Sequence, residues 1–328
     1  MKEVFNRKVG KSKMLPVFIG GHPRSGTTLL GDILGSHPFC ICTPESQFKV
    51  SVYQRLEIKD KEYFDVNRAF EKIKKHWRYK IWAIDEFMDF EEKISSYEDL
   101  ILILVRKYAI KNNKFNASIW VDHTPSNIQF AELLNYIFPE AKFIHIIRDG
   151  RAVAASQIPL DWGPNTISGA AYSWMEAIKK GLSAEELLRD KIIKVKYEEL
   201  VADAEIVLKK ICDFLEINYF PEMLQGGGFK VPEYTIKQHL LLGKPPDRSR
   251  INVWEKKLTK RQIEIFESIA GEFLEKLNYT LLYGKNAKSM NLSEKLLFYL
   301  YELWRGRIIN KIRHKKRKEK GIILARKQ

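Results

Sequence analysis

The sequence predicts an α/β fold of three layers: a central parallel sheet flanked by helices, followed by a basic helical tail. Three observations carry that expectation. A short apolar run at 16–20 ends in Gly20-Gly21, turns through Pro23-Arg24-Ser25-Gly26, and opens into a helical pattern over 27–35. Further short apolar runs at 118–121, 142–147 and 192–195 are separated by helical periodicity, the alternation that builds parallel strands joined by crossover helices. Finally, the chain carries a net charge of +15, and residues 311–328 hold nine Lys/Arg against one acidic residue.

The elements follow in order. A strand at 16–20 and a helix at 27–35 are joined by the glycine loop, and a second extended piece at 39–42 leads into Thr43-Pro44-Glu45. Residues 48–115 show helical patterns and aromatics (Tyr53, Trp77, Tyr79, Trp82, Phe87) without a comparable strand. After the strand at 118–121, Thr124 as N-cap and Pro125 at the first helical position mark a helix start. Helices are expected near 150–157, 167–189, 203–216 and 259–276, and Gln225-Gly226-Gly227-Gly228 reads as a mobile loop.

The first loop has the chemistry of a phosphate cradle. Its N–H groups converge on a helix N-terminus, where the macrodipole adds partial positive charge. Gly21 and Gly26 satisfy G-x-x-x-x-G and Thr28 fills the final Ser/Thr position, so the domain is P-loop-like. Thr27, however, stands where a nucleotide triphosphatase needs its lysine. A kinase or NTPase would also need an acidic residue at a strand end for magnesium, whereas the 142–147 strand runs into Arg148. Arg24 offers its charge at the 5′-phosphate level instead. At the end of that later strand, Arg148-Asp149-Gly150-Arg151 leads into a helix carrying Ser156, a guanidinium and a hydroxyl suited to a second phosphate. Strand carboxyl ends are where ligands of open sheets gather. The ligand expected is a nucleotide with phosphates at two positions of its ribose.

P-R-S-G-T-T at 23–28 with R-D-G-R-x-x-x-x-S at 148–156 resembles the sulfotransferases that use 3′-phosphoadenosine 5′-phosphosulfate (PAPS). The pattern is nearer the tyrosylprotein and bacterial carbohydrate branches than the small-molecule cytosolic one, and it spans roughly 16–280. The resemblance implies PAPS as co-substrate, with Arg24, Ser25, Gly26, Thr27 and Thr28 at its 5′ end. Arg148 and Ser156 would take the 3′-phosphate. Tyr197, in a Y-E-x-L setting, would meet the adenine or 3′-phosphate, and Arg250 and Asn252 would close over the nucleotide.

Sulfuryl transfer is in-line displacement at sulfur, needing a base for the acceptor hydroxyl and positive charge on the departing oxygen. Side chains can neutralise the 5′-phosphate, so no metal is expected, and Cys40 and Cys42 lack a partner motif for one. Two residues compete to be the base. Glu45 resembles the glutamate of C-G-E-E-T-R in tyrosylprotein sulfotransferases, although Pro44 and Gln47 depart from that pattern. His123, two residues before Pro125, resembles the histidine of K-T-H-L-P, at a point other relatives fill with lysine. The favoured assignment is Glu45 as base with His123 as cationic helper. Against each stands a bland alternative: a surface glutamate, a structural histidine, an Arg148 paired with Asp149, an interior Tyr197.

Composition bounds the rest. Three sparse cysteines read as buried thiols in a reducing compartment. No apolar run approaches a membrane span and the N-terminus lacks a signal-type segment, so the expectation is cytoplasmic. The strand–helix alternation is continuous, giving one sulfotransferase domain over 1–285 and an amphipathic basic tail over 286–328. In the tail, Asn291 and Glu294 read as a capping pair, and Leu296, Leu297, Leu300, Leu303, Trp304 and Ile308 recur at helical spacing. Such a tail suits an anionic membrane surface or a polyanion, or else packs on the domain. A nucleic-acid-binding protein would explain the charge, but the basic residues are not interleaved with aromatics. The acceptor expected is a carbohydrate hydroxyl first and a peptidyl tyrosine second.

Overall fold

The computed structural model describes residues 14–56, 64–84, 94–232 and 242–325. Five strands form one parallel sheet: β1 (Leu15–Gly20), β2 (Cys40–Thr43), β3 (Ile119–Asp122), β4 (Lys142–Ile147) and β5 (Ile192–Lys196), in the order β2-β3-β1-β4-β5. Both faces are covered, which is why the strands read as nearly unbroken apolar runs. Successive β1 side chains serve opposite layers. Phe18 joins Trp120, Phe138 and Phe143 on one side, while Val17 and Ile19 join Ile144, Ile146 and Leu30 on the other.

Helix α1 (Thr27–Ser36) follows β1 directly. The 48–115 region holds α2 (Phe48–Leu56), α3 (Val66–Lys75), α4 (Trp77–Trp82) and α5 (Tyr97–Lys111); Phe87 lies outside the described residues. Its aromatics Tyr79 and Trp82 are core, packed around Phe48. Helix α6 (Ala131–Ile137) precedes β4, and α7 (Gly150–Gln157) and α8 (Ile167–Leu188) follow it. After β5 come α9 (Tyr197–Ala202), α10 (Ala204–Leu215), α11 (Val253–Lys257) and α12 (Lys260–Lys276). The tail forms α13 (Leu292–Trp304), a π-helical turn (Arg305–Asn310) and α14 (Lys311–Ala325). Asn291 and Glu294 make the expected reciprocal cap. Cys40, Cys42 and Cys212 are free and buried, and burial pushes the Cys40 thiol up to about 12.

Two local expectations are corrected. Pro125–Phe130 is a 3₁₀ helix and Thr124 does not cap it; its hydroxyl accepts the Ser46 N–H at 3.0 Å, tying the segment after β2 to the end of β3. The glycine run at 226–228 is anchored. The Asp32 carboxylate on α1 accepts the N–H groups of Gly227 (3.0 Å), Phe229 (2.9 Å) and Gly243 (3.0 Å). Gly228 lies so close to α1 that a Cβ there would sit 1.8 Å from the Ser36 nitrogen.

Candidate active site

The glycine loop leaves the carboxyl end of β1 between β3 and β4, where the strand order reverses and open sheets place their ligands. Gly26 caps α1 at φ 103°, and a Cβ there would meet the Tyr197 ring at 2.6 Å, so both conformation and space demand glycine. Arg24 also has positive φ, 75°. Ser25 is 1% exposed and its hydroxyl has no hydrogen-bond partner among the described residues. Thr27 is buried and Thr28 half-buried beside it, opening the helix.

Arg148 extends from the end of β4 into this loop. Its Nη1 donates to the Arg24 carbonyl at 3.0 Å, its guanidinium carbon lies 4.0 Å above the Tyr197 ring, and its buried Nε has no hydrogen-bond partner among the described residues. The alternative pairing with Asp149 does not occur. Asp149 takes Arg151 instead (2.7 Å), and Arg151 also bonds Glu267 (2.6 Å) and lies over Trp254. The R-D-G-R segment thus divides its arginines, one to the core and one to the site.

The division of Arg24 and Ser156 between two phosphates is not what this conformation shows: Arg24 Nε donates to Ser156 Oγ at 3.0 Å. Burial lowers the proton affinity of Arg24, and the nearby Arg148 lowers it further. Two arginines whose charges repel at one loop favour an anion there. Arg250 contributes its carbonyl, 3.5 Å from Arg148 Nη2, while Asn252 is exposed at the start of α11, apart from these contacts.

Glu45 and His123 lie near enough to each other for the carboxylate to act on the ring, and His123 packs on α1 at Gly31. Glu45 Oε2 bonds Arg78 Nη2 at 2.8 Å and receives Gln47 Nε2 at 3.2 Å. His123 is 3% exposed, packs edge-on to Phe229 (4.6 Å between centroids), and has no hydrogen-bond partner on either ring nitrogen among the described residues. Gly31 admits it, since a Cβ there would approach within 2.9 Å of the His123 Cβ. Burial lowers the imidazole pKa, opposed in part by the charges of Glu45 and Asp122. Burial thus disfavours the imidazolium, while the two carboxylates favour it.

Sequence reading missed the support beneath. Lys49, fully buried, bonds Asp122 (3.0 Å), Asn127 (2.7 Å) and Ser46 (3.1 Å), and Asp122 also accepts the hydroxyl of Ser46 and the N–H of Thr124. Burial would raise the Asp122 carboxyl, yet Lys49 and these donors hold it below the ordinary aspartate value. A lysine among apolar helix residues looks like any surface lysine in sequence; only the buried aspartate ending β3 reveals it.

His22 was also missed. Its Nδ1 donates to the Pro23 carbonyl (2.7 Å) and its Nε2 accepts from the Ser173 hydroxyl (3.0 Å), the neutral tautomer's pattern. Burial lowers its pKa to about 4. The unfolded chain takes up this proton near 6.5, so the stabilisation is complete above that pH and lost as pH falls towards 4, about 3 kcal/mol in all. Urea unfolding from pH 7 to 4 should show the drop, and His22→Gln should flatten it; identical slopes would clear His22.

The family model described as "Sulfotransferase family" matches residues 16–222, taking in both phosphate segments, Glu45, His123 and Tyr197. The chain belongs to the sulfotransferase family. Protein-tyrosine sulfotransferase A of Caenorhabditis elegans is 28% identical over 214 residues, covering 63% of this chain and 51% of that protein. Protein-tyrosine sulfotransferase 1 of Danio rerio is 30% identical over 211 residues, covering 62% and 53%. The match to each of these relatives spans about half of the relative's length. Among solved structures, the sulfotransferase domain from the curacin biosynthetic pathway superposes with a TM-score of 0.55 at 19% identity, covering 82% of this chain and 99% of that one. The sulfotransferase domain from the Synechococcus PCC 7002 olefin synthase gives 0.55 at 21%, covering 84% and 98%. These likenesses bear out the α/β fold and the resemblance read from the two motifs.

Proposed function

We propose that this sulfotransferase moves the sulfuryl group of PAPS to an acceptor hydroxyl, of a carbohydrate or a peptidyl tyrosine, without a metal. Residues 1–285 form the catalytic unit and 286–328 an appendage. The observation that carries the reading is the Arg148 guanidinium, stacked on Tyr197 and bonded to the Arg24 carbonyl of the glycine loop, near a buried Ser25 hydroxyl that has no hydrogen-bond partner among the described residues.

In this reading the N–H groups of 25–28, with the hydroxyls of Ser25, Thr27 and Thr28, hold the 5′ end. Arg148, Ser156 and Tyr197 hold the 3′ end, with Arg250 and Asn252 closing from outside. Arg24 leaves Ser156 for the bridging oxygen as its charge grows. The acceptor oxygen attacks sulfur, the sulfur–oxygen bond to the 5′-phosphate breaks, and the acceptor proton passes to His123. Glu45 stabilises the imidazolium that results. The names of the relatives favour tyrosine, and the aromatic region around Trp77 suits either ring or sugar.

Calorimetry should show adenosine 3′,5′-bisphosphate binding about 10- to 100-fold more tightly than AMP, the worth of one charge-assisted phosphate contact. Arg148→Ala should erase most of that difference; equal affinities in the parent protein would remove the 3′-phosphate assignment. Mass spectrometry of peptides and polysaccharides after incubation with labelled PAPS identifies the acceptor, and transfer confined to small phenols would contradict both classes.

A further inference from the structure

Helix α13 is amphipathic in the reverse sense. Its acidic side chains face the protein. Glu294 takes two bonds from Arg261 (2.8 and 2.7 Å), and Glu302 accepts the N–H groups of Asn165 (2.8 Å) and Thr166 (2.7 Å) and the Thr166 hydroxyl (2.8 Å). Phe298 turns inward with them, against the core between α7, α8 and α12. The opposite side presents Leu292, Leu296, Leu297, Leu300 and Trp304, each 51–83% exposed. Ile308 and Ile312 prolong the exposed stripe through the π-helical turn into α14. Single exposed leucines need no explanation; a continuous outward stripe on a helix fixed by its polar side does.

We propose that this face docks on an anionic membrane surface. The charge beside the stripe chooses the occupant. Arg307, Lys311, Arg313, Lys315, Lys316 and Lys318 are exposed or half-exposed along the same continuous helix, against one acidic residue, Glu319, in 311–328. Leucines and a tryptophan entering the acyl boundary, with lysines reaching the headgroups, make an interfacial helix. A second copy of the chain would set these cations against each other, and a polyanion would leave the leucines uncovered. Among the described residues no helix is long and apolar enough to cross a membrane, so the association is with one surface.

The inner side of α14 packs next to the Glu45 region. The His314 ring of α14 meets Trp77 of α4 with centroids 6.0 Å apart, and the adjacent Arg78 holds Glu45. Docking along α13 and α14 therefore brings the Glu45 side of the molecule near the lipid.

Co-sedimentation of the full chain with vesicles tests the proposal without requiring activity. The protein should pellet with phosphatidylcholine vesicles containing phosphatidylserine and remain in solution with phosphatidylcholine alone, and added salt should weaken the binding. Leu296→Glu with Leu300→Glu, and separately Lys315→Glu with Lys316→Glu, should each lower partitioning about tenfold or more. Unchanged melting curves would show that both variants fold, as exposed positions allow. Failure of the parent to pellet, or pelleting unaffected by the leucine pair, overturns the proposal. So does a lipid-free dimer, seen by sedimentation velocity, that the leucine pair converts to monomer, since the face would then belong to a second copy.

Discussion

His123→Asn is expected to lower turnover about 100- to 10,000-fold, the usual worth of a positioned general base, while bisphosphate affinity stays nearly unchanged. The ring is buried and has no hydrogen-bond partner on either nitrogen among the described residues, whereas the Glu45 carboxylate is paired with Arg78. A base must be deprotonated to work, and the His123 pKa lies below its ordinary 6.5. The acid limb of kcat/KM should therefore fall below neutrality, with activity lost as pH drops through it. Glu45→Gln removes the partner of the imidazolium and should cost less, and it should move that limb to lower pH. The competing assignment, Glu45 as base, predicts the opposite: Glu45→Gln inactive, His123→Lys and His123→Asn active. Kinetics of the three variants separate the two outcomes, and neither touches the reaction class.

Lys49→Met should destabilise the fold by about 3–5 kcal/mol, because it strands the Asp122 carboxylate in a fully buried position. Methionine matches the lysine stem in length, so packing is conserved and the loss is electrostatic. Adding Asp122→Asn to Lys49→Met should recover part of the loss, whereas Asp122→Asn alone strands the ammonium. Urea unfolding of the four proteins closes the cycle. A loss below about 1 kcal/mol for Lys49→Met, inside the range of ordinary substitutions, would show that water or rearrangement satisfies the aspartate.

All five strands were legible in the sequence because each is an apolar run bounded by turn residues, and a sheet covered on both faces leaves little ambiguity. The glycine loop was legible for a different reason: a tight strand-to-helix turn imposes glycine at fixed positions, such as Gly26 at φ 103°. What escaped was polar and long-range. Thr124 looks like a helix cap, yet its hydroxyl serves a residue 78 positions away, and local spacing cannot report that. The same holds for Lys49 with Asp122 and for Asp32 with Gly227, Phe229 and Gly243. Arg24 and Ser156 were assigned apart because their motifs are separate; the contact exists only once β1 and β4 lie side by side.

The Asp32 clasp determines which positions around it are free to vary. One carboxylate on the helix of the nucleotide loop secures the backbone of Gly227, Phe229 and Gly243. Main-chain donors exist whatever the side chain, proline excepted, so the clasp survives changes of letter outside the crowded glycine at 228 and the positive-φ glycines at 226, 227 and 243. Yet this is the stretch whose Phe229 rests against His123. The fold thereby separates fixed from variable: one aspartate on α1 grips main-chain atoms, which every letter but proline supplies, and leaves the side chains of uncrowded positions open to exchange.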